Sequence, residues 1–161
     1  MQSNSHSLIS GGQHYEVGPD IALRNFRDPS VYHFEPSVRR TTMVSELIVH
    51  ESVTSSVAQT VEVLRNRNLS VHLIVGPDGQ VTQHADLEFD LLMHAQPHNT
   101  RSIGIEIVNP YYPESNPPGS VWTRAIDALW AHRGRYLLPT LAQVESTARL
   151  LERNTELRTG R

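Results

Sequence analysis

The chain has 161 residues, 38% of them hydrophobic, no cysteine and a formal net charge of −3. That length suits one domain with a modest core. The charge lacks the basic footprint of a nucleic-acid binder, no apolar run is long enough to span a bilayer, and the missing cysteines exclude disulfides and thiolate metal sites.

Residues 1–20 are mostly polar, include Gly11-Gly12, and read as a loose N-terminal arm, leaving residues 21–161 as the domain and 45–157 as its core. The start, Met1-Gln-Ser-Asn-Ser-His-Ser, lacks the basic and apolar regions of a secretory signal, so a cytoplasmic protein, or one released by a signal-independent route, is expected. Ile21 to Thr42 mixes Asp-Pro, Glu-Pro and Arg39-Arg40 and reads as irregular structure. Glu46 to His50 is the first clear strand. Ser56 and Gln59 then have capping-box spacing, and Val57, Val61 and Leu64 recur on one helical face until Asn66 to Asn68. Val71 to Val75 and Gln80 to His84 bracket Gly76-Pro-Asp-Gly79, a hairpin signal.

Ser102 to Val108 reads as the central strand. Alternation places Ile103, Ile105 and Ile107 on one side and Gly104, Glu106 and Val108 on the other. A carboxylate in such a run is costly without a partner or a chemical task, and Gly104 clears space beside it. The proline-rich stretch 109–120 is a loop. Trp122, Ile126 and Leu129 have the spacing of a short helix. Pro139 precedes Thr140-Leu-Ala-Gln143, a second capping box, and Leu141, Val144, Ala148 and Leu151 make one stripe of a final helix. The expected architecture is α/β: a small mixed sheet flanked by helices.

Four segments carry a family resemblance. Leu47-Ile-Val-His50-Glu, Ser70-Val-His72-Leu-Ile-Val-Gly-Pro-Asp-Gly79, His94-Ala95, and Asn99-Thr-Arg-Ser-Ile-Gly-Ile-Glu106-Ile-Val-Asn109 stand in the order found in the zinc-dependent N-acetylmuramoyl-L-alanine amidases, a family that includes the peptidoglycan-recognition proteins. The resemblance spans about residues 45–110. It implies His50 as a zinc ligand, Glu106 as the catalytic acid–base, and His72, His94 and Asn99 as substrate contacts. The implied reaction is hydrolysis of the amide between N-acetylmuramic acid and L-alanine in peptidoglycan or muropeptides. Zinc would polarise the carbonyl and activate a water whose proton Glu106 takes.

In the family, the two remaining zinc ligands follow the last long helix, and no segment after Leu157 resembles that loop. His132, before the last helix, is a weak substitute. Three alternatives therefore stay open: an active amidase, a muropeptide-binding module without the metal, and a fragment of a longer enzyme. For single residues the plainer alternatives are a strand-end histidine at position 50, a core histidine at 72, and a structural carboxylate at 106 paired with Arg101. Tyr111, Tyr112 and Trp122 are candidates for a sugar-stacking wall, or for ordinary packing.

Overall fold

The computed structural model describes residues 6–36 and 38–159, apart from the side chains of residues 132 and 154–159. It begins with an antiparallel hairpin, β1 (Ser7–Ser10) and β2 (Gln13–Glu16). Gly11 and Gly12 make the turn at φ 60° and 75°, a region glycine enters without strain. The Asp86 carboxylate accepts from both of their amides, at 2.9 and 2.8 Å. The expected loose arm is thereby corrected for residues 6–20. Leu8 is fully buried, Ile9 nearly so, and the Gln83 side chain bonds both the amide and the carbonyl of Ile9. Polar neighbours disguise these two apolar residues in the sequence; residues 1–5 lie outside the described set.

The central sheet combines β3 (Leu23–Asn25), β4 (Glu46–Glu51), β5 (Leu73–Val75), β6 (Val81–Gln83) and β7 (Ser102–Ile107), in the order β3-β6-β5-β7-β4. Only β5 and β6 pair antiparallel, across the expected Gly-Pro-Asp-Gly turn. β3 falls inside the stretch expected to be irregular; Leu23 and Asn25 are buried there. On one face Leu73, Val75, Ile103 and Ile105 pack against Leu8 and Leu150. On the other, Val71, Ile74 and Val108 pack against Val61, Leu64 and Trp122.

Helix α1 (Val57–Asn66) starts where expected: the Ser56 hydroxyl accepts from the Gln59 amide at 3.2 Å, while Gln59 Oε1 accepts from the Ser55 amide at 2.9 Å. Two short strands, β8 (Ala125–Asp127) and β9 (Arg135–Leu137), form a second hairpin. β8 replaces the helix expected around Trp122: Trp122 is buried whereas Ile126 and Leu129 are exposed, so the three share no face.

Helix α2 (Leu141–Thr159) keeps its reciprocal capping box: the Thr140 hydroxyl accepts from the Gln143 amide at 3.1 Å and Gln143 Oε1 accepts from the Thr140 amide at 3.0 Å. Its buried face differs from the expected stripe. Leu141 and Val144 are exposed, and Gln143, Thr147 and Leu150 turn inward. Gln143 Nε2 donates to the Val108 carbonyl at 2.7 Å and adds a second bond, at 3.3 Å, to the Val75 carbonyl, which already accepts from the Val108 amide. Those bonds fix the helix rotation against its apolar pattern. No helix among the described residues is long and apolar enough to cross a membrane.

Candidate functional site

β4 and β7 are parallel neighbours in a register that sets Ile48 opposite Gly104 and His50 opposite Glu106. Side chains at paired positions project to the same face, so the imidazole and the carboxyl sit side by side near the C-terminal ends of the strands. Ligands of open sheets with parallel strands commonly bind at that end. Ile74 of β5 lies on the far side of Glu106.

The loop before β7 carries His94 over this surface. A Cβ on Gly104 would meet His94 Cγ and Nδ1 at 2.7 Å, so only glycine admits the ring here. Asn99 shapes the loop: its Oδ1 accepts from the amides of His94 and Ala95 at 3.0 and 2.7 Å. Asn99 is buried, and through these bonds its Oδ1 positions His94. The Ser102 hydroxyl donates to the His98 carbonyl at 2.7 Å and so accepts from His94 Nε2 at 3.2 Å. His94 Nδ1 is left with a lone pair and no partner.

His94 stands edge-on to two further imidazoles, with ring centroids 5.9 Å from His50 and 5.7 Å from His72. His72 has no exposed surface. Its Nδ1 accepts from the Gly104 amide at 3.1 Å, and its Nε2 lies 3.1 Å from the Asp90 carbonyl. Expected as a substrate contact, the ring has both nitrogens on backbone groups and lies behind the surface of the site. It braces the strand beneath His94. Burial pushes the pKa of His72 down to about 3 and that of His94 to about 4, the latter helped by His50; His50 is lowered by burial as well. The cluster is accordingly neutral at physiological pH, and His50 Nε2 and His94 Nδ1 are its unpartnered ring nitrogens.

Glu106 is 8% exposed, and its Oε2 has no hydrogen-bond partner. Burial raises its pKa to about 7, with the nearby Glu51 carboxylate adding to the effect. Arg101 is not its partner: Arg101 Nε and His98 Nδ1 both engage Glu46, at 2.6 and 2.7 Å. Glu51 and Glu106 together line a cavity of about 370 Å³, whose wall includes Thr54, Gln59, Thr60 and Arg67.

Sequence reasoning missed Glu51, because strict alternation turns it away from His50's face. Its carboxylate is held by the Tyr136 hydroxyl and, at 3.0 Å, by Asn109 Nδ2, contacts from distant segments that no local pattern announces. Trp122 packs in the core, so it is no part of an exposed aromatic wall.

Zinc remains the cofactor implied by the resemblance. A catalytic zinc takes three protein ligands and a water. His50 supplies an unpartnered, buried Nε2, but among the described residues no three histidine, aspartate or glutamate side chains are grouped to hold a metal ion. His132 lies in the turn before β9, its side chain outside the described set. The described residues fall short of a zinc centre; what they bring together is two imidazoles and one carboxyl.

A comparison with curated protein sequences gives no match. Among solved structures, Drosophila peptidoglycan recognition protein SD is similar over 85% of this chain and 76% of its own, at 13% identity and a TM-score of 0.54. Peptidoglycan recognition protein-LE, solved in complex with tracheal cytotoxin, a monomeric diaminopimelic acid-type peptidoglycan, covers 84% and 74% at 17% identity and a TM-score of 0.53. At such identities the likeness is one of fold. The sequence profile of the N-acetylmuramoyl-L-alanine amidases, however, matches residues 40–157, which contain β4, β7, His94, α1 and most of α2. With that profile covering most of its length and the fold agreeing, this chain belongs to the N-acetylmuramoyl-L-alanine amidase family.

Proposed function

We propose that this domain binds muropeptides, with the stem peptide lying over Glu106 in the cavity between β4 and α1. The observation that carries this reading is the group of buried, unpartnered polar atoms, His50 Nε2, His94 Nδ1 and Glu106 Oε2, gathered at one end of β4 and β7. Such atoms cost about 1–3 kcal/mol each when unsatisfied. A peptide backbone supplies both donors and acceptors: its N–H groups suit the imidazole lone pairs, and its carbonyls suit a protonated Glu106. Family membership and the fold support peptidoglycan as the source of that peptide.

The test is calorimetric titration with N-acetylmuramyl-L-alanyl stem peptide in the presence of EDTA. The expected result is saturable binding weakened at least tenfold by His50→Ala. No heat from the native protein, beside an intact fold, would overturn the reading.

A second reading, hydrolysis of the N-acetylmuramoyl–L-alanine amide, is favoured by Glu106. A carboxyl with a pKa of about 7 is suited both to take a proton from water and to return it to the leaving nitrogen. Mass spectrometry for released L-alanyl peptide, with zinc stoichiometry on the same sample, tests it. Product formed by the native protein and abolished in Glu106→Gln establishes hydrolysis; binding without product leaves the binding function alone.

A further inference from the structure

The β8–β9 hairpin presents an aromatic cluster beside the cleft. Trp130 is 65% exposed, unusual for so large an apolar side chain, and the adjoining Leu129 is fully exposed. The indole is braced by Tyr136, at a centroid distance of 5.0 Å, and by Tyr111, at 6.1 Å. Tyr111 packs in turn on Tyr136 and Tyr112 at 5.1 and 4.7 Å. The turn that carries Trp130 is anchored: Ala128 and Ala131 are buried against Tyr136, and the Ala128 amide bonds the Gly134 carbonyl at 2.8 Å.

Tyr111 adopts φ 68°, a left-handed conformation costing about 1–2 kcal/mol for a side chain of this kind. The Asn109 carboxamide holds it there, accepting from the Tyr111 amide at 2.9 Å. The same Asn109 donates to Glu51, as does the Tyr136 hydroxyl. Glu51 lines the cavity with Glu106. Aromatic platform and cleft are thus joined through one carboxylate.

We propose that Trp130, braced by Tyr111 and Tyr136 and joined to the cleft through Glu51, is the sugar platform of this site, stacking on a pyranose ring of the glycan attached to the stem peptide. This rests on the muropeptide reading above. A pyranose has an apolar C–H face for the indole and hydroxyl edges for polar neighbours, a combination an aromatic surface beside a carboxylate satisfies. A lipid surface is less well matched. The two arginines between the hairpin's strands and on β9 are ion-paired, Arg133 with Glu114 at 3.0 Å and Arg135 with Asp127 at 3.8 Å, so neither offers an open cation to anionic headgroups.

The experiment compares two probes, N-acetylmuramyl-L-alanyl stem peptide and the same stem peptide without sugar, on the native chain, Trp130→Ala and Trp130→Phe. The expected result is a loss on the order of tenfold for the sugar-bearing probe with Trp130→Ala, recovered in large part by Trp130→Phe, and no change for the free peptide. Equal losses on both probes, or none, overturn the platform while leaving muropeptide binding intact. Native protein that binds neither probe overturns the muropeptide reading and the platform with it. Trp130-dependent binding to phosphatidylglycerol vesicles without any sugar dependence overturns it in favour of a lipid surface.

Discussion

Glu106→Gln isolates the cost of keeping a carboxyl in this site. In the folded chain Glu106 titrates near 7, against 4.5 for an unhindered glutamate. Below about pH 4.5 the group is protonated in both states and contributes no difference. Between 4.5 and 7 the folded state holds a proton that the unfolded state has released, so stability falls as pH rises, by about 1.4 kcal/mol per unit. Above 7 the loss is complete at about 3 kcal/mol. Glutamine has nearly the same shape and does not titrate, so it escapes this loss. Urea unfolding in EDTA, at about pH 4 and about pH 8, should give near-equal stabilities at the lower value. At the higher, the glutamine variant should lead by about 3 kcal/mol, since the other titrations are common to both proteins. Stability curves that stay parallel across this interval would refute the argument, by showing that the carboxyl ionises as it would in water.

Gly104→Ala drives a Cβ to 2.7 Å from the His94 ring. We expect destabilisation of about 1–3 kcal/mol together with displacement of His94, read as a shifted imidazole resonance and weakened muropeptide binding; unchanged His94 resonances would contradict it. Asn99→Ala removes the acceptor shared by the His94 and Ala95 amides. Thermal unfolding should show a loss of about 1–3 kcal/mol, with amide exchange at His94 accelerated, because both donors then lack their side-chain acceptor.

Much of the architecture was legible along the chain. The capping pairs Ser56/Gln59 and Thr140/Gln143 set the starts of both helices, since these bonds are local and need no tertiary partner. The Gly-Pro-Asp-Gly turn between β5 and β6 is local in the same way. Alternation in Ser102 to Val108 correctly put Glu106 and Gly104 on one face, and its order relative to Leu47–His50 identified the family. Distant pairing, by contrast, leaves little local trace. Leu8 and Ile9 look like part of a polar tail until Gln83 and Asp86 fasten the hairpin that carries them. The inward face of α2 follows two strand-end carbonyls that Gln143 bonds, not the apolar stripe.

For the site, residue types and strand positions of His50, His94 and Glu106 were readable in order, but their relations were not. The parallel register of β4 and β7 sets the first and last side by side, and the missing side chain at Gly104 lets the second lie over them. Burial then decides the chemistry: His72 and Asn99, as plausible as ligand contacts in the sequence as any, bond backbone groups, while Glu106 retains an open oxygen. A sequence states which groups a chain possesses. Only the folded chain apportions water and hydrogen-bond partners among them, and that allotment separates a histidine bonded to backbone from a carboxyl with an open oxygen.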